Sequence, residues 1–163
     1  MRRADLTVTV LFVEDEPELR DVIAFELEHA GFRVLTAGTG EEALEILRDR
    51  PGGIDWLFTD IRLPGLIDGW RVADEFRFTY PLRPVVFATG AIRERPRDMI
   101  DSLFLRKPYR ACEVVEAFGL LRDGWFSCGD DIEALRQIKG LPLGPKLSWA
   151  PPGLDPAAAG WKA

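Results

Sequence analysis

Histidine and cysteine are scarce: the chain has one histidine, His29, and two cysteines, Cys112 and Cys128. That leaves no cluster for zinc or copper, which want imidazole or thiolate ligands. Two thiols with no export signal point to reduced side chains rather than a disulfide framework. No run of eighteen apolar residues is present, so no membrane span is expected. Excess positive charge is also missing: 21 Lys and Arg face 27 Asp and Glu, a formal charge of −6. Nucleic acid is therefore not expected as the partner, because phosphate backbones reward basic patches. Arg2 and Arg3 precede an apolar run, but Glu14, Asp15 and Glu16 interrupt it too early for a secretory segment. A cytoplasmic location is the resulting expectation.

What is present is apolar and well distributed. Hydrophobic residues make up 47% of the 163 positions, enough for one packed domain plus an extension. Short apolar runs read as buried strands over Val8–Val13, Arg33–Ala37, Trp56–Thr59, Val85–Ala88 and Leu103–Leu105. Helical spacing separates them. Pro17 opens a first helix with Leu19, Val22, Ile23 and Leu27 on one face, and Gly31 stops it. A second helix spans Gly40–Asp49, with Ala43, Leu44 and Leu47 inward, and ends before Pro51-Gly52-Gly53. A third begins near Asp68-Gly69 and carries Val72, Ala73 and Phe76, and a short one falls within Arg95–Ile100. The last, Arg110–Leu121, has Val114, Val115, Phe118 and Leu121 as its apolar side. Five β–α units with continuously apolar strands imply a doubly wound, five-stranded parallel sheet with helices on both faces. In such a sheet the functional crevice lies at the carboxyl ends of the strands.

Those ends carry chemistry. The first strand runs into Glu14-Asp15-Glu16, the third into Asp60, the fourth into Thr89-Gly90 and the fifth into Lys107-Pro108. Carboxylates brought within a few ångströms repel, and a hard divalent cation relieves that repulsion. Oxygen-only ligands suit Mg²⁺, with Asp15 and Asp60 as ligand candidates and Glu14 acting directly or through water. A carboxylate beside such an ion can attack phosphorus, while Lys107 offers a point charge and Thr89 a hydroxyl for phosphoryl oxygens. Each residue alone suits a solvated loop or turn cap; the argument rests on all of them falling at the same ends of their strands.

With these residues in place, the sequence resembles the response-regulator receiver family over about residues 7–122. The resemblance is carried by Leu11-Phe12-Val13-Glu14-Asp15-Glu16, Asp60-Ile61-Arg62-Leu63-Pro64-Gly65, Phe87-Ala88-Thr89-Gly90 and Phe104-Leu105-Arg106-Lys107-Pro108-Tyr109. It implies a flavodoxin-like strand order 2-1-3-4-5, with Asp60 as phosphoacceptor. Mg²⁺ would be held by Glu14, Asp15, Asp60 and the backbone carbonyl of Arg62. Thr89 and Lys107 would sense the phosphate, and Phe104 would stand at the switch aromatic. The implied partners are a histidine kinase or phosphotransfer protein and a downstream protein target, with a homodimer as a further expectation. Against the family pattern, the loop Pro64–Gly69 is one residue longer and the interval from Thr89 to Lys107 is short. Phe104 also lacks the hydroxyl of a tyrosine.

Two other readings compete. Phosphatases of the haloacid-dehalogenase type want a second aspartate two residues after the nucleophile, and that place is Arg62. A receiver-like module that works without phosphorylation would not need Glu14, Asp15, Asp60, Thr89 and Lys107 together. Residues 123–163 read as an extension without a DNA-binding domain: one helix over Asp130–Lys139, then a tail with five prolines and no regular structure of its own. Trp125, Phe126 and Ile132 are expected to pack back on the domain; docking of the tail on another subunit or a partner is the sharper alternative.

Overall fold

The computed structural model describes residues 7–90, 102–122 and 147–150. Among these residues six strands and four helices follow in the order β1 Thr9–Val13, α1 Pro17–His29, β2 Arg33–Ala37, α2 Gly40–Asp49, β3 Trp56–Asp60, α3 Gly69–Thr79, β4 Val85–Thr89, β5 Ser102–Arg106, α4 Ala111–Arg122 and β6 Leu147–Ala150. The strands line up as β2-β1-β3-β4-β5-β6. The first five are parallel, in the order expected of a doubly wound sheet, and β6 runs antiparallel to β5. The five parallel strands are those expected; β6, in the segment expected to lack regular structure, is an addition that corrects only that part of the reading. Four residues between Pro145 and Pro151-Pro152 are too short a run to stand out as a strand, so Leu147–Ala150 read as part of the tail. The short helix expected in Arg95–Ile100, the helix over Asp130–Lys139, and Trp125, Phe126, Ile132 and Cys128 lie outside the described residues.

Alternation along the strands divides the core in two. Val10, Phe12, Phe58, Val86, Leu103 and Leu105 face α1 and α4, meeting Ile23, Leu27, Val114 and Phe118. Leu11, Val13, Leu57, Val85, Phe87 and Phe104 face α2 and α3, meeting Ala43, Val72, Ala73 and Phe76. Strands covered on both faces must be largely apolar, which is why they read as unbroken runs. The α1 face is narrower than its spacing suggests. Ile23 and Leu27 are buried, but Val22 is 55% exposed beside Phe25 on the outer side.

Local signals set the helix ends. Pro17 occupies the first turn of α1, where its missing N–H costs nothing, and Gly31 follows the helix at φ +91°. The Thr39 hydroxyl caps α2 by accepting from the Glu42 amide at 3.1 Å. Asp68 caps α3, its carboxylate accepting from the Arg71 amide at 2.9 Å. Each of these starts lies just beyond the carboxyl end of a strand, so caps and strand ends share one rim.

Candidate functional site

Glu14 and Asp15 directly follow β1, Asp60 closes β3, Thr89 closes β4, and Lys107 follows β5. Parallel register brings these ends together: Asp60 is the Cα partner of Ala88, and Thr89 that of Arg106. The Lys107 amide continues the ladder, donating to the Thr89 carbonyl at 2.8 Å. Carboxylate oxygens of Glu14, Asp15 and Asp60 all lie within 4.8 Å of one another. Into this cluster Lys107 extends its ammonium, 2.5 Å from Asp60 Oδ2 and 3.0 Å from Glu14 Oε2. Residues separated in sequence by 93 and 47 positions thereby meet in one ion-pair network.

Burial shapes the network's charge. Glu14 is 1% exposed, and Asp15 is open to solvent. Burial pushes the Glu14 carboxyl above the ordinary carboxylate range, and the adjacent Lys107 ammonium only partly offsets it. Burial also works against the Lys107 charge, but the hydrogen bonds and charges of Asp60 and Glu14 outweigh it and hold the lysine pKa above its usual value. Three carboxylates against one ammonium leave a formal charge of −2 in a partly buried recess. The donor set is oxygen only, two of its carboxylates are half-shielded or more, and its residual charge matches a divalent cation. These residues fit Mg²⁺.

Backbone groups hold the carboxylates in place. The Arg62 amide donates to Asp60 Oδ1 at 3.0 Å, fixing one oxygen while Lys107 takes the other. The Glu16 amide donates to Glu14 Oε1 at 3.3 Å, and Arg20 Nη1 donates to the Glu14 carbonyl at 2.7 Å. The first turn of α1 is thus tied to the acidic end of β1. Sequence reading missed Arg20, whose place one turn into a helix looks like that of any solvated arginine. It also missed Gly69 as a packing residue: a Cβ there would lie 1.9 Å from the Asp60 carbonyl oxygen, so the start of α3 can press on the end of β3 only without a side chain. Tyr109 was quoted within a motif and given no role. Its hydroxyl is buried beside Glu14 without a hydrogen-bond partner of good geometry, and burial followed by the Glu14 and Asp60 charges pushes its pKa up. Phe104 stacks on Phe87 at 5.3 Å and lies 6.2 Å from Trp70, on the α3 side of the sheet.

The model of the response regulator receiver domain matches residues 10–117. The chain belongs to the response regulator receiver domain family. Its acidic recess is that of a receiver domain of two-component signalling. Among curated relatives, the probable transcriptional regulatory protein TcrX of Mycobacterium tuberculosis is 35% identical over 123 residues, covering 71% of this chain and 50% of that protein. The receiver protein of Sinorhizobium medicae superposes with a TM-score of 0.62 at 31% identity, over 72% of this chain and 96% of that one. TrrA from Thermotoga maritima, solved in complex with Mg(2+)-BeF, superposes with a TM-score of 0.60 at 30% identity, over 71% of this chain and 99% of that one. The chain spans half or less of the length of the first curated relatives it matches. Among the described residues no helix is long and apolar enough to cross a membrane.

Proposed function

We propose that this receiver domain is phosphorylated on Asp60 in a Mg²⁺-dependent reaction, by a histidine kinase or phosphotransfer protein, and signals to a protein partner through a two-state change. The observation that carries this reading is the Asp60 carboxylate, with one oxygen pinned by the Arg62 amide and the other ion-paired to Lys107 beside two further acidic groups. Glu14, Asp15, Asp60 and the Arg62 carbonyl are the groups assigned to hold Mg²⁺. Once bound, the ion supplies the positive charge that lets an anionic donor approach an anionic recess.

The transfer asks little covalent chemistry of the protein. An Asp60 oxygen forms a bond to phosphorus while the bond from phosphorus to the donor nitrogen breaks, and the electron pair departs with the imidazole. Lys107 neutralises charge on the transferred group, and the Thr89 hydroxyl at the end of β4 serves as a donor to it. Water attack on the acyl phosphate releases inorganic phosphate and restores the carboxylate. New contacts at Thr89 and Lys107 bias the arrangement of β5 and its neighbours, with Phe104 as the side chain that moves. Incubation with acetyl phosphate and Mg²⁺, read by intact mass, should add one phosphoryl group to the wild type and none to Asp60→Asn. Equal labelling of both proteins would place the phosphoryl group on another residue, and labelling of neither would favour a phosphorylation-independent module; both remove Asp60 from its assigned role.

A further inference from the structure

Beyond its five parallel strands, the sheet carries one feature that the receiver reading does not use. Residues 147–150 lie antiparallel along β5, with Leu147 opposite Leu105, Ser148 opposite Phe104, Trp149 opposite Leu103 and Ala150 opposite Ser102. Without β6, β5 would be the edge of the sheet and present unpaired backbone groups. The strand is confined to four residues by its sequence. Pro151 and Pro152 follow Ala150 directly and Pro145 precedes Leu147 by two positions, and proline has no N–H to extend a ladder. A four-residue edge strand is among the least stable parts of a fold and opens at the lowest cost.

Its place ties it to the site. Leu105, opposite Leu147, precedes Lys107 by two residues, which along a strand is about 7 Å. Lys107 is anchored twice: by its amide to the Thr89 carbonyl and by its ammonium to Asp60 and Glu14. The end of β5 is therefore held by the carboxylate that the proposed function modifies. A phosphoryl group on Asp60 takes the oxygen facing Lys107 and presents new, more highly charged oxygens to which the ammonium must move. That displacement acts at the first residues of the β5–β6 ladder.

We propose that the β5 edge is a strand-binding surface whose occupant is this chain's own segment 147–150, and that phosphorylation of Asp60 loosens that strand and opens the edge. The coupling rests on the Asp60 reading, whereas the occupancy of β5 does not. Hydrogen exchange on the full chain, followed by mass spectrometry of peptides covering residues 102–105 and 147–150, tests both parts. In the unmodified protein the two segments are protected together, at every protein concentration. After acetyl phosphate and Mg²⁺ they exchange at least about fivefold faster, the factor that one net hydrogen bond confers. Lys107→Ala releases the end of β5 without any phosphoryl group and gives the same acceleration, while β1, β3 and β4 stay protected. Leu147→Pro and Ser148→Pro discriminate further. Adjacent residues of a strand direct their N–H groups to opposite sides, so one variant removes protection from β5 and its neighbour largely spares it.

Exchange of residues 147–150 at the rate of unstructured chain in the unmodified protein overturns the inference. Protection that fades on dilution also overturns it, because a second copy would then supply the strand. Unchanged protection in Lys107→Ala rules out the coupling. Parallel intact-mass measurement separates the two readings. An absent phosphoryl group defeats the Asp60 assignment, whereas a present one with undisturbed β6 defeats only this proposal.

Discussion

At the scale of single residues, the site depends on close approach and on unequal burial of like charges. Gly69 shows the first. Any side chain there must displace the Asp60 carbonyl or the start of α3. Gly69→Ala is expected to lower stability by about 1–3 kcal/mol, the usual cost of overpacking, measured by urea denaturation. A loss within error of zero would mean that the loop shifts freely. Glu14 shows the second. Its pKa in the folded chain is raised above the unfolded value, so the folded state holds a proton more tightly. Stability therefore falls as pH rises from the ordinary carboxylate value through the raised one, and the penalty is complete above it. Without divalent ions, Glu14→Gln should flatten that part of the stability–pH curve. A curve that keeps the wild-type slope would assign the effect to another group.

At the scale of elements, helices and loops act as braces for the rim. Phe118 on α4 is fully buried against Phe32, Trp56 and Phe58, with ring centroids 5.4 to 5.8 Å apart. Phe118→Ala should cost about 3–5 kcal/mol in chemical denaturation, since the cavity lies between α4, β3 and the Phe32 ring just before β2. The loop after β3 is held differently. Glu41, in the first turn of α2, accepts a hydrogen bond from the Leu66 amide at 2.8 Å, and backbone donors hold its carboxyl below the ordinary range. The ordering it provides is complete above the unfolded carboxylate pKa and is lost as pH falls through the depressed folded value. The Leu66 amide resonance should titrate with that low midpoint in the wild type and stay flat through it in Glu41→Gln. Gly65 turns this loop at φ +96°, where a Cβ would lie 2.8 Å from the Glu41 carboxylate.

For the molecule as a whole, the uncompensated charge of the recess links folding to metal. A cation that binds the folded recess and not the unfolded chain must raise stability, by about 2.7 kcal/mol at a hundred times its dissociation constant. Mg²⁺ is expected to raise the thermal midpoint of the wild type and to leave that of Asp15→Asn nearly unchanged. Equal shifts in both proteins would mean that the ion acts elsewhere on this acidic chain.

Much of this was readable in the chain because the relevant physics is local. Each strand that is buried on both faces must be largely apolar, and Pro17, Asp68 and Gly31 mark helix ends through effects confined to a few residues. Parallel strands with helical crossovers place all carboxyl ends on one rim, so Glu14, Asp15, Asp60, Thr89 and Lys107 could be grouped before any distance was known. Tertiary structure alone decided the rest. Which oxygen of Asp60 meets the lysine, how deeply Glu14 is buried, why position 69 tolerates no Cβ, and that residues 147–150 close the β5 edge all depend on groups distant in sequence. Burial and backbone pairing are properties of neighbours in space, and no short window of residues encodes them.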